Sequence, residues 1–248
     1  MTGWRLLVFF SGVVAPLLLL PASLDAQAGA AVVGDAGAVK AGVRSATVTY
    51  GFERPGLSVP RFRMVIREDG TGSYEGEEIV KLDGASGVGA APTPAATHVQ
   101  QQISVTPATA KKIFNTARAE KYFNKACASK AKNIADTGAK TLSYEGPDGK
   151  GSCAYNYTED KNVVMLTDLF LGIAATVDQG RRLEFKHRYD HLGLDAELDV
   201  LMQANDAGRA VELGTIAPVL RELTNDTELM QRVRSRAAKL LDRAGEGR

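Results

Sequence analysis

Two histidines four residues apart, His187 and His191, are the side chains whose spacing comes nearest to chemistry. On a straight helix they would share a face with Glu184 and Asp195, and a carboxylate, imidazole, imidazole, carboxylate row is adequate for zinc. The segment His-Arg-Tyr-Asp-His lacks the glutamate of the H-E-x-x-H metalloprotease pattern, and Gly193 interrupts the helical spacing ahead of Asp195. His187 and His191 are therefore weak metal candidates, and ordinary surface or partly buried histidines are the simpler reading. Asp136 and Asp168 lie beside apolar residues, where an acid in a cleft could titrate abnormally, but a capping or turn role asks for less. Tyr144, Tyr155 and Tyr157 could share one hairpin face and stack on sugar or base rings, or pack as core beneath helices. No nucleophile elbow, phosphate loop or metal cluster is present, and no cofactor is implied.

Cys127 and Cys153 are the chain's two cysteines. Without C-x-x-C spacing and with an even count, they read as one structural disulfide in an oxidising compartment. Closing that loop stabilises a fold by about 3.5 kcal/mol on the chain-entropy model, less any native strain. Two buried free thiols are the alternative, and a catalytic thiol has no histidine near it in sequence.

The compartment follows from the first 28 residues. Arg5 precedes an apolar run from Leu6 to Leu20, and Ala26-Gln27-Ala28 has the small-residue pattern of a cleavage site. Residues 1–28 thus read as a signal peptide, the mature chain starting at Gly29 in the periplasm or the medium. Ser11, Gly12 and Pro16 interrupt the run, which falls short of the roughly 20 residues of a membrane span. The best later candidate, Val163 to Val177, carries Thr167, Asp168 and Gly172 and reads as a buried helix, so no stable membrane insertion of the mature chain is expected. With 30 Lys and Arg against 29 Asp and Glu, the formal charge is +1, and the basic runs Arg181-Arg182 and Arg232 to Lys239 are diluted by Glu184 and apolar positions. That balance gives no electrostatic case for nucleic acid.

The elements that must position these residues divide by period. Residues 29–43 are Ala, Gly and Val with little else and read as a disordered leader. Val48, Tyr50 and Phe52 alternate with polar or small neighbours, and Phe62, Met64 and Ile66 face away from Arg61, Arg63, Val65 and Arg67. Asp69-Gly70 supplies a tight hairpin turn. Residues 84–97 read as a Gly, Ala and Pro-rich loop, and Val99, Gln101, Ile103 and Val105 as a strand with Gln100 and Gln102 on a solvated face. Thr106-Pro107 starts a helix with Ala110, Ile113, Phe114 and Ala117 inward. A second hairpin runs from Lys140 to Tyr157 through Pro147-Asp148-Gly149, placing Cys153 on a strand.

From Lys161 the period becomes 3.6. One helix carries Leu166, Leu169, Phe170, Ile173 and Val177. A second, from Gly180 towards Gly193, presents Phe185, Tyr189 and Leu192 on a face. Asp195 can cap a third, a short helical piece spans Ile216 to Leu223, and a last helix after Asn225 has Asn225 and Glu228 at capping-box spacing with Leu229, Val233, Ala237 and Leu240 as its stripe. Asn156-Tyr157-Thr158 and Asn225-Asp226-Thr227 match glycosylation sequons, relevant only in a eukaryotic secretory pathway.

The succession of a D-G hairpin (Asp69, Gly70, Tyr74, Gly76), a Thr-Pro helix, the pair Tyr122 and Phe123, Asp136-Thr137 and a second hairpin resembles an exported bacterial domain family of unknown function, over roughly residues 44–180. Its members often carry a cysteine where this chain has Val59, so any thiol role tied to that position is absent here. The resemblance carries no activity. The final helices are faintly similar to a HEAT-type pair, but a single pair cannot form a solenoid.

The expected fold is α+β, an N-terminal antiparallel sheet of about five or six strands with one packed helix in residues 44–160, followed by a helical region in 161–248 packed on or following it. The expected function is a non-enzymatic binding or envelope-accessory module whose partner is an envelope or extracellular protein. The alternative is an exported hydrolase using carboxylates or a weak His-based metal site.

Overall fold

Alternating apolar residues build the first half of the molecule. In a computed structural model that describes residues 45–80 and 95–246, six strands form one antiparallel sheet. They are β1 (Thr47–Glu53), β2 (Arg61–Arg67), β3 (Thr71–Val80), β4 (Ala95–Ser104), β5 (Ala139–Gly146) and β6 (Gly149–Tyr155), in the order β4-β3-β2-β1-β5-β6. The proposed signal peptide, the leader and most of the 84–97 loop lie outside the described residues. Residues 95–97 of that loop belong instead to β4. Tyr50 lies opposite Met64 on one side and Leu142 on the other, so one face of the sheet is a continuous apolar surface. At the first hairpin Gly70 has φ +85°, and a Cβ there would come within 2.7 Å of the Val105 carbonyl oxygen. Glycine is required on both counts.

That face is covered by α1 (Pro107–Ala119) and by the first half of α2 (Lys161–Tyr189). Thr106 caps α1, its hydroxyl accepting from the Thr109 N–H at 3.3 Å, and the four expected residues Ala110, Ile113, Phe114 and Ala117 are buried. Asp160 caps α2 by accepting from the Asn162 and Val163 N–H groups at 2.9 and 3.2 Å. Phe170 then stacks on Tyr50, ring centroids 5.0 Å apart. The fold is α+β, with the helices gathered after the sheet.

Four expectations for the helical half are corrected. The helix read as ending before Gly180 and the one read as beginning there are a single 29-residue helix, α2. Gly180 does not terminate it. A Cβ at that position would lie 2.3 Å from Ile216 Cγ2, so the missing side chain lets a second segment pack close. The buried stripe therefore continues through Val177, Gly180 and Leu183, and Phe185, Tyr189 and Leu192 are turned to solvent at 62, 68 and 83% exposure. Unbroken, α2 also reaches the length and apolarity of a membrane span, which the sequence reading denied to any later segment, and 56% of its most apolar window is buried inside the protein.

Asp195 does not cap α3 (Leu194–Asp206). It lies within the first turn and pairs with Arg232 and Arg236 at 2.9 and 3.2 Å, while Asp190 caps the preceding short turn by accepting from the Gly193 N–H at 3.0 Å. The Asn225 capping box is not formed either. Asn225 ends α4 (Ala217–Asn225), Asp226 accepts from the Glu228 N–H at 2.9 Å, and α5 (Gln231–Glu246) starts later. The stripe of Leu229, Val233, Ala237 and Leu240 is nevertheless buried. It joins Leu183, Leu198, Leu201, Ile216, Leu220 and Leu223 in a second core between the end of α2 and helices α3 to α5.

Candidate functional site

The helices leave the other face of the sheet bare among the described residues, and that face carries the polar half of every strand. Between its long side chains lies a trough of about 610 Å³. Thr49, Gly51, Ala139 and Thr141 make a low floor, and Arg61, Arg63, Glu75, Glu77, His98 and Gln100 rise along one side. The floor is low because Gly51 has no side chain, and a Cβ there would approach Thr141 Oγ1 to 2.6 Å. Arg61 lies between Glu53 and Glu77 at 4.0 and 3.8 Å, in pairs largely open to water. Such pairs contribute about 0–1 kcal/mol and shield no carboxylate from solvent. The trough offers hydrogen-bonding groups of both signs, suited to holding a polar extended chain.

Its rim is the edge of the sheet. The two edges are β6, seven residues with Lys150 and two glycines, and β4, ten residues without Lys, Arg, Asp or Glu. Against the helix-covered face of β6 lies a left-handed turn, Lys121–Phe123, with φ of 53°, 57° and 63°. Such a conformation costs about 1–2 kcal/mol at each non-glycine residue. Full burial of Phe123 offsets it, as does the close seating of Tyr122 on Gly149, where a Cβ would come within 2.5 Å of the ring. The Cys127–Cys153 disulfide forms, Cα atoms 5.8 Å apart, and ties the following loop to the same strand. The Ser129 N–H donates to the Tyr157 carbonyl at 2.9 Å just beyond the strand end. A formed disulfide is compatible with an exported protein.

Nothing among the described residues pairs with β4 on its outer side. The Val105 N–H donates to Gly70 O at 2.9 Å, and β3 and β4 keep one register from Thr71↔Ser104 to Val80↔Ala95. Antiparallel pairing alternates, so Ile103, Gln101 and Val99 exchange main-chain bonds with β3, and His98, Gln100, Gln102 and Ser104 aim their N–H and C=O groups outward. The strand has no Lys, Arg, Asp, Glu or Pro to discourage a further strand.

The residues singled out from sequence do not assemble into a catalytic or metal centre. His187 Nε2 lies 2.8 Å from Asp226 Oδ2, and that bond, with the Glu228 N–H, holds the Asp226 carboxyl below its usual range. His191 Nε2–H donates to the His187 carbonyl at 2.7 Å, which turns that nitrogen away from a shared metal position. Glu184 is exposed and Asp195 is engaged by two arginines. Among the described residues no group of three or more His, Cys, Asp or Glu could hold a metal ion. Asp136 accepts from the Gly138 N–H at 2.9 Å, a turn role. Asp168 is exposed on α2, lining a groove of about 670 Å³ with Lys112, Tyr157 and Val164. The three tyrosines part company. Tyr144 and Tyr155 are core residues, and Tyr157 is 45% exposed.

Two charged groups escaped the sequence reading. Lys140 is buried at the end of β5, its Nζ donating to the carbonyls of Thr137, Gly138 and Asn156 at 2.8 to 2.9 Å and to the Thr137 hydroxyl. Burial pulls its pKa below the ordinary lysine value, with Asp136 opposing and Arg54 reinforcing that shift. The available signal was its phase, inward with Leu142 and Tyr144. Lys125 bridges the buried Glu120 to Asp160 at the start of α2. Burial pulls Lys125 down, but its bonds to Asp160 and Glu120 outweigh this and hold the ammonium above its usual range. Both groups are anchors of loops to elements. Asn156 is engaged as well, its amide donating to Ala135 O at 3.0 Å, so that sequon is not free in the folded chain.

No protein-family model and no curated protein sequence matches the chain.

Proposed function

We propose that this chain is an exported, periplasmic or secreted binding module of the cell envelope, without catalytic function, that takes an extended segment of an envelope or extracellular protein as an added strand along β4. The observation that carries this reading is the contrast between the two edge strands. One is short, carries Lys150 and has a loop tied to it by the disulfide, whereas the other presents ten residues without Lys, Arg, Asp or Glu, every second one with outward main-chain groups, beside a polar trough. Main-chain pairing supplies affinity in such complexes, and pockets for alternate side chains supply selectivity. The trough lies where alternate side chains of an added strand would reach Gln100 and His98. The resemblance to exported domains of unknown function agrees with this compartment. The hydrolase alternative has less support, since Glu53 and Glu75 in the trough are exposed, the half-buried Glu77 lies beside Arg61, and His187 is engaged with Asp226.

The test is capture of envelope proteins by the chain and by Gln100→Pro. Proline at an outward-facing position removes one donor from the free edge and none from the bonds to β3. Capture lost in Gln100→Pro, with unchanged circular dichroism, is the expected result. Capture undiminished in that variant would overturn strand addition.

A further inference from the structure

The segment that best fits the β4 edge is β4 itself. We infer that two copies of this chain pair antiparallel through β4, an inference that rests on strand addition at this edge and names its occupant. The reason is the order Val99-Gln100-Gln101-Gln102-Ile103, which reads nearly the same in both directions. A two-fold axis through Gln101 would set Val99 opposite Ile103 of the second copy and Gln100 opposite Gln102. Apolar residues then meet on the helix-covered face and amides on the open face. Carboxamides both donate and accept, so identical glutamines complement each other.

The same axis satisfies the main chain. With even-numbered residues aimed outward, the facing pairs Gln100 with Gln102 and His98 with Ser104 are those that exchange hydrogen bonds, giving about eight across the junction. Moving the axis by one residue to Gln100 or Gln102 would oppose Gln101 to Val99 or Ile103. Self-pairing also meets no like-charge penalty, because the strand carries no formal charge apart from what His98 acquires in acid. Val99, half-buried in the single chain, gains cover from Ile103 of the second copy. The product is one continuous sheet of twelve strands with a trough on either side of the axis.

The full chain, the variant Gln100→Pro and two cysteine variants test this. Sedimentation and light scattering should give a mass twice that of the chain for the wild type and a single-chain mass for Gln100→Pro. Gln101→Cys, placed on the axis, should form a covalent dimer on mild oxidation. His98→Cys should not, because the two copies of residue 98 would be offset by roughly 20 Å along the strands. A persistent dimer in Gln100→Pro, or His98→Cys cross-linking as readily as Gln101→Cys, would overturn the pairing. A wild-type chain that stays monomeric yet captures an envelope segment through a Gln100-sensitive edge overturns the second copy and leaves strand addition standing. A monomer whose capture ignores Gln100→Pro overturns both.

Discussion

The carboxylate of Glu212 closes the first turn of α1 from across the molecule, accepting from the Thr106 N–H at 2.7 Å and from the Thr106 hydroxyl at 2.9 Å. It also takes the Thr109 hydroxyl. Thr106 directly follows the end of β4 and Val105, so the helical half steadies the strand proposed to recruit a partner. Glu212 holds φ at +57° to make this contact. Glu212→Ala should lower stability by about 2 kcal/mol, the scale of hydrogen bonds to a charged group. Glu212→Gly should cost roughly 1 kcal/mol less than Glu212→Ala because glycine accepts the positive φ freely. Urea unfolding of the two variants gives the order. Equal losses would mean that the backbone at 212 is not strained.

Gly180 sets packing against helix propensity. An alanine in mid-helix normally gains about 1 kcal/mol over glycine. Here its methyl would meet Ile216 Cγ2 at 2.3 Å, and overpacking of that kind costs about 1–3 kcal/mol. Gly180→Ala should therefore destabilise the chain on balance. Combined with Ile216→Ala it should cost less than the sum of the single changes. A stabilised Gly180→Ala protein would mean that α2 and the Leu213–Ile216 turn do not approach as described.

Lys140 gives a pH signature. Its pKa is lower in the folded chain than the ordinary 10.5 because burial disfavours the ammonium. Between the folded and unfolded pKa values the unfolded chain binds more protons, so stability rises with pH in that window. The wild type should thus gain on Lys140→Met as pH climbs towards 10.5, having led it at neutral pH, where the methionine leaves the carbonyls of Thr137, Gly138 and Asn156 without their donor. Chemical denaturation at about pH 8 and about pH 10 measures both. A gap that shrinks as pH rises would contradict the assignment.

Paired replacement of Cys127 and Cys153 by serine should lower stability by about 3.5 kcal/mol, the loop-closure contribution for a separation of 26 residues. It should also raise proteolysis near Lys121–Phe123, where the bridge no longer helps to hold the strained turn on β6. A loss under about 1 kcal/mol would place most of the hold on Phe123 and Tyr122 instead.

Strand identity and facing were legible wherever one face is buried, because alternation such as Phe62, Met64, Ile66 against Arg61, Arg63, Arg67 allows one phase only. Strand order was not, since nothing local to residues 95–104 tells an edge from a centre. The edge position of β4 became visible only with the sheet assembled. Helix continuity through Gly180 was hidden for a similar reason: the partner that requires a glycine there, Ile216, is remote in sequence. With the helix unbroken, its inward face runs through Val177, Gly180 and Leu183, and the face of Phe185, Tyr189 and Leu192 is turned to solvent. At the histidines the spacing was legible and the chemistry was not, because Asp226, which engages His187, lies on a different helix end. Lys140 could have been found from its inward phase alone.

The central claim concerns the outer side of β4, and residue-resolved amide hydrogen exchange addresses it most directly. In the dilute chain the N–H groups of Val99, Gln101 and Ile103 should exchange slowly and those of His98, Gln100 and Gln102 fast. On raising the protein concentration or adding a captured segment, the fast set should become slow. Protection of all six amides under conditions where the chain sediments as a single copy, or a fast set that stays fast when a partner is bound, would contradict strand addition at this edge.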